Sequence, residues 1–186
     1  MTEKPTLDAI LIPPPELEDS WNEIPEIVKI GDPVLRKVAA PVRKCTKETL
    51  ELIQKMIKAM RKARGLGLAA PQVGVSQRIF IYQVNPKSDL NILINPTVTN
   101  HHGEQLEPAE GCLSMPGLQG TVPRAQEVRL KGYDERGRPI SKRASGLEAR
   151  IIQHEFDHLN GILFTDRADP ETLVWLLDDD ETLEAV

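Results

Sequence analysis

Ser145-Gly146-Leu147-Glu148-Ala149-Arg150-Ile151-Ile152-Gln153-His154-Glu155-Phe156-Asp157-His158-Leu159-Asn160-Gly161 is the stretch on which the fold turns. Its opening, Ser145 followed three residues later by Glu148, has the form of a capping box. In that arrangement the serine and glutamate side chains satisfy each other's free backbone donors, so a helix is expected to start at Ser145. Gly161 marks its expected end. Inside it, His154-Glu155-Phe156-Asp157-His158 is an HExxH pattern. At about 3.6 residues per turn, two histidines four apart lie roughly 40° from each other around the helix and one turn along it, so both imidazoles can reach one ion. Glu155 stands beside them, able to contact a water at that ion. The chain has four histidines, and two of them at this spacing argue for a metal-binding helix over a solvated one.

Two ligands do not make a catalytic centre, because metallohydrolases typically combine three protein ligands with a water. No histidine follows His158, so the third ligand must come from elsewhere. The remaining soft candidate is Cys112 in Glu110-Gly111-Cys112-Leu113-Ser114. Taken alone, Cys112 fits a buried structural thiol better than a ligand, since free cysteine usually behaves as a small hydrophobe. Cys45, just before the first expected helix, and His101-His102, expected in a polar turn ending at Gly103, read as structural or exposed. A third segment, Gly65-Leu66-Gly67-Leu68-Ala69-Ala70-Pro71-Gln72, is a tight loop of small residues whose glycines permit close backbone approach to a ligand. It lacks the Lys-Ser/Thr ending of a phosphate-binding loop, and alone it could equally be a helix cap and turn.

Farther out, Thr46 caps an expected helix to Arg64, with Leu50, Ile53, Ile57 and Met60 at helical spacing and Gly65 available for a left-handed end. Strands are expected at Ile79 to Val84, Ile92 to Val98 and Val128 to Tyr133. The last should pair through Asp134-Glu135-Arg136-Gly137 with Pro139 to Ala144. Asp169 followed by Pro170 signals a third, C-terminal helix running into Leu173, Trp175, Leu176 and Leu177. Strands between helices without βαβ alternation predict an α+β fold, with antiparallel sheets packed around the HExxH helix. At 186 residues and 40% hydrophobic content, one catalytic domain over residues 27–186 is expected. Residues 1–26 carry seven acidic residues, one lysine and a Pro13-Pro14-Pro15 run. They read as an extended or partly disordered arm, unlike a secretory or transit leader.

The three segments together, in this order, resemble the three motifs of the peptide deformylase family, and Ile30-Gly31-Asp32-Pro33-Val34-Leu35-Arg36 resembles its N-terminal segment. The resemblance covers about residues 27–164. It implies removal of the formyl group from the N-terminal formylmethionine of newly made polypeptides, with release of formate. It implies one divalent metal ion held by Cys112, His154 and His158, usually Fe2+ in the cell and often replaced by Zn2+ or Ni2+. Water activated there would attack the formyl carbon, with Glu155 taking its proton and returning it to the departing amine. The Gln72 side chain and the Leu113 N–H would meet the developing negative charge. Backbone at Leu66, Gly67 and Gly111 would pair with the extended substrate, and Leu147, Arg150 and Ile151 would line the methionine pocket. Arg150 departs from an aliphatic residue common there; its stem could line the pocket while its charge reaches water. Gly117 and Gln119 likewise replace charged residues found after the second motif in some members.

The enzymatic alternative is an HExxH zinc peptidase, which leaves Cys112 and Gln72 without a role. A structural metal module would need a fourth ligand that the sequence does not offer. With 23 basic against 28 acidic residues and a net charge of −5, specific nucleic-acid binding is not expected. Asp178, Asp179, Asp180 and Glu181 would make any contact with the ribosome weak. No apolar run is long enough for a membrane span, and two cysteines are too few for a disulfide framework, so a cytoplasmic location is expected.

Overall fold

The computed structural model describes residues 11–17, 21–104 and 108–176, with the side chains of Asn100 and His101 left aside. Helix α1 (Lys47–Lys62) begins at Thr46, whose hydroxyl accepts from Thr49 N, while the Thr49 hydroxyl accepts from Thr46 N. Ile53, Met56, Ile57 and Met60 form its buried stripe; Leu50 lies outside it, 42% exposed. Its end differs from expectation. Arg64, with φ 55°, takes the left-handed position, not Gly65. Gly65 answers a different need, because a Cβ there would lie 2.6 Å from Leu113 Cδ1.

Five antiparallel strands form the main sheet, in the order β1-β2-β3-β6-β7. They are β1 (Gly67–Ala69), β2 (Ile79–Tyr82), β3 (Asn91–His102), β6 (Glu127–Tyr133) and β7 (Pro139–Ser145). In β2 the alternation of side chains sends Ile79 and Ile81 into the core beneath α1. Phe80 and Tyr82 go into the core that holds Ile151 and Ile152 of helix α2 (Gly146–His158). The sheet is therefore covered on both faces at β2. Burying Ile79, Phe80 and Ile81 stabilises it by about 1.5–3 kcal/mol each. Strand β3 runs past the expected Val98 because a bulge absorbs Asn95-Pro96 and pairing resumes at Thr97. Asn95 adopts φ 50°, and its side chain bonds both the N–H and the carbonyl of Val42 at 2.8 Å. His101 and His102 consequently end a strand instead of lying in a turn.

Ser145 caps α2 by backbone geometry, but the expected capping box is not made. Glu148 is drawn off by Tyr82 Oη at 3.0 Å and Lys142 Nζ at 2.6 Å. Gln153 straps the helix to the chain before β6 through both atoms of its amide, to Ala125 N and Ala125 O. The expected hairpin holds, with Asp134 Oδ1 accepting from Arg136 N and Arg138 N.

A second sheet, β4-β5-β8, consists of β4 (Glu110–Cys112), β5 (Met115–Gly120) and β8 (Val174–Trp175). Strand β8 corrects the expected third helix. Asp169 does cap a start, accepting from Glu171 N, but only one 3-10 turn follows, Pro170–Thr172. Leu118 and Gln119 then offer a strand edge that takes Trp175 and Val174, and this pairing replaces further helical bonds. Where described, the N-terminal arm lies on the same region. Leu17 is buried against Gly117, and the Trp21 ring sits 5.9 Å from that of Trp175. The acidic run Asp178 to Glu181 lies outside the described residues.

Candidate active site

Strand β4 meets helix α2 through Cys112, which also belongs to an apolar cluster with Leu163 and Phe164. Cys112 Sγ lies 3.4 Å from His158 Nε2. One ligand atom from each of Cys112, His154 and His158 falls within 4.8 Å of the others, and all three residues are buried. The sequence motifs contributed by separate segments thus converge on one point.

His154 is oriented from behind. Its Nδ1 lies 2.9 Å from Glu110 Oε2, leaving Nε2 turned inward with no protein partner. Glu110 is fully buried and held by Arg124, at 2.7 and 2.8 Å, and by Arg150 at 2.8 Å. Arg124 continues to Asp157 at 2.6 Å, and Asp157 accepts two bonds from Arg167 at 2.7 and 2.9 Å. Burial opposes the ionisation of Glu110, yet the hydrogen bonds from Arg124 and His154 outweigh it and hold the carboxyl well below the ordinary range. Burial likewise opposes the Cys112 thiolate, and the two histidines overcome it. A site that stabilises a thiolate and favours extra positive charge on His154 against burial suits a cation. The inward, unpartnered His154 Nε2 and the soft donor set fit a metal ion of the iron, zinc or nickel kind.

Glu155 is 1% exposed, and its Oε2 has no protein partner. Burial pushes its pKa up to about 7. Its other oxygen lies against Gly67, where a Cβ would come within 2.2 Å, so only glycine allows the loop so close. Gln72 Oε1 accepts from Ala69 N at 2.8 Å, which turns its amide nitrogen toward Cys112 Sγ at 3.5 Å and Ser114 Oγ at 3.3 Å.

A family model of polypeptide deformylases matches residues 24–173. The chain belongs to this family. A peptide deformylase of Halothermothrix orenii is 51% identical over 142 residues, covering 76% of this chain and 92% of that protein. One of Carboxydothermus hydrogenoformans is 46% identical over 144 residues, covering 77% and 93%. Among solved structures, a peptide deformylase from Legionella pneumophila superposes with a TM-score of 0.74 at 42% identity, covering 78% of this chain and 86% of that one. The enzyme from Thermotoga maritima gives 0.73 at 41% identity, covering 77% and 97%.

Against the expected deformylase site, one residue is corrected. The charge of Arg150 does not reach water. The residue is fully buried, and Nη1 donates to Glu110 Oε1 at 2.8 Å and to Val122 O at 2.9 Å. Glu110 is a buried anion bonded by two guanidinium groups, those of Arg124 and of Arg150 on α2. Leu147 and Ile151 share the cluster with Phe80 and Tyr82. Leu66 is buried, its carbonyl accepting from Gln83 N at 2.8 Å, and Gly111 pairs with Gln119 in the second sheet. Sequence reasoning missed Glu110, Arg124, Asp157 and Gln153 as supports of the site. The signal for Asp157 and Glu110 was their place inside the motifs; nothing in the pattern marks Arg124.

Proposed function

We infer that this chain removes the N-terminal formyl group from newly made polypeptides through the centre formed by Cys112, His154, His158 and Glu155. Its family makes it a peptide deformylase, a metal-dependent hydrolase. The observation that carries the residue assignment is the buried convergence of the Cys112, His154 and His158 ligand atoms beside an unpartnered Glu155 oxygen. A divalent cation held there by Cys112, His154 and His158 would supply Lewis acidity and lower the pKa of water enough for it to act at neutral pH. In the cell we take it to be Fe2+, with Zn2+ or Ni2+ as replacements.

The protein's own part is positional. Glu155 Oε2 receives the proton of the attacking water and returns it to the amine as the C–N bond breaks. The Gln72 amide and the Leu113 N–H stand for the oxygen that becomes negative. Gly67 and Gly111, with Leu66, present backbone to the extended peptide as a strand would. Leu147 and Ile151 form the methionine pocket, with only the stem of Arg150 left to it. Residues 27–186 constitute the catalytic domain and residues 1–26 an arm. The substrate is the nascent chain, encountered in the cytoplasm, with at most weak ribosome contact and no specific nucleic-acid or membrane partner. No helix among the described residues is long and apolar enough to cross a membrane.

Incubation of anaerobically prepared, metal-loaded protein with matched formylated and unformylated methionyl peptides tests this reading. Formate from the first and no internal cleavage of either supports it. Cleavage of the unformylated peptide would instead favour an HExxH peptidase.

A further inference from the structure

Beside the centre lies a cavity of about 390 Å³ whose walls include Leu113, Ile27, Lys29, Lys62, Arg64 and Glu23. Leu113 belongs to both places: it follows the candidate ligand Cys112, and its side chain packs on Gly65. Running backward along the chain, Gly67 faces Glu155, Gly65 faces Leu113, and Arg64 lines the cavity. An extended chain advances about 3.3 Å per residue, so the path from Gly67 back to the left-handed Arg64 covers at most roughly 10 Å. In this direction the chain reaches the surface at the exposed Arg64, three residues away, whereas in the other it stays buried through Val73. On the function proposed above, a peptide whose formyl group reacts opposite Gly67 must leave toward Arg64. Its third and fourth residues then arrive at the cavity.

The charge there is unevenly matched. Lys29 is half-buried and donates to Ile24 O at 3.2 Å and Ile27 O at 2.7 Å, which leaves one of its three protons for the cavity. It is close enough to Cys112 to feel the charge of the thiolate. Lys62 is partly offset by Glu26, 3.8 Å away. Among the described residues the Arg64 guanidinium has neither a hydrogen bond nor an ion pair, and Glu23 is the carboxylate opposing it in the cavity wall. Arg64 also holds a left-handed backbone that would suit glycine better, a cost often found where a side chain serves a site.

We propose that this cavity receives the third and fourth residues of the formylated peptide, and that Lys29 and Arg64 bias it toward acidic side chains. Because Glu23 and Glu26 offset part of the charge, the bias is partial. Each exposed pairing of this kind is worth about 2- to 5-fold, less as salt rises.

The test uses the full-length, metal-loaded protein and three peptides: formyl-Met-Ala-Glu-Glu, formyl-Met-Ala-Ser-Ser and formyl-Met-Ala-Lys-Lys. The expected order of kcat/KM is acidic, neutral, basic, expressed mainly in KM and compressed at high ionic strength. Arg64→Gly suits the backbone and removes the charge, so it should move the acidic-to-basic ratio toward one. Arg64→Glu should invert it. Equal rates for the three peptides, or a ratio unchanged in Arg64→Glu, overturns the proposal while leaving deformylation intact. No formate from any of the three overturns the proposed function and this inference together.

Discussion

Both oxygens of the Glu110 carboxylate are engaged, by Arg124 and Arg150 on one and by Arg124 and His154 on the other. Replacing the residue with glutamine keeps its shape but takes from two buried guanidinium groups the anion they share, and removing one partner of a buried pair costs about 3–5 kcal/mol. Glu110→Gln should therefore lower the denaturant midpoint and weaken metal retention, since His154 loses the acceptor that orients it; both are measurable on one preparation. The pH dependence has a definite sign. The folded pKa of Glu110 is depressed, so its stabilisation is present above the unfolded value of about 4.3 and is lost as pH falls through the folded value. Unfolding in urea followed from pH 7 toward pH 3 should show an acid decline that is shallower in Glu110→Gln. The two cysteines separate in the same way. Cys112→Ser should lose metal, because a hydroxyl is a poor substitute for a thiolate, whereas Cys45→Ser, half-buried outside the centre, should keep both metal and activity. Unchanged metal content in the Cys112 variant would remove that residue from the site.

At the level of elements, what could be read in advance was whatever one segment decides by itself. The candidate ligand pair His154 and His158 is set by helical spacing, and the β6–β7 hairpin by the turn chemistry of Asp134 and Gly137. What escaped is made by pairs distant in the chain. Strands β4 and β8 are three and two residues long, too short to show alternation, and β8 exists because β5 offers an edge. The same holds for the ion pairs of Arg124 and Arg167 with Asp157, which no periodicity connects. Glu148 shows a local signal overruled by tertiary partners, Tyr82 and Lys142. The bulge in β3 yields a prediction of its own. Asn95→Ala removes both bonds to Val42 and places alanine at a left-handed backbone, so it should destabilise the fold by about 2–3 kcal/mol. Asn95→Gly should recover the backbone part of that loss. Equal midpoints for the parent and both variants would mean that the bulge is not anchored by this side chain.

On the scale of the whole molecule, the main sheet sits between α1 and α2, and the second sheet brings Cys112 to the side of α2 that carries His154 and His158. The Trp21 ring, on the N-terminal side, packs against that of Trp175 in β8, which pairs with β5. Residues beyond Leu177 carry the acidic run Asp178 to Glu181, which repels phosphate. Deleting them should leave deformylation of a short peptide and ribosome co-sedimentation close to those of the full chain; a large loss in either would assign the tail a role. The central claim is that Glu155 moves the proton while Cys112, His154 and His158 hold the metal. Its most direct test is Glu155→Gln, which keeps the shape of the side chain and removes its basicity. Metal stoichiometry and affinity for a formyl-peptide analogue should stay near those of the parent, while formate release falls by about 100- to 10,000-fold. Activity within a few-fold of the parent, or metal lost together with activity, would contradict it.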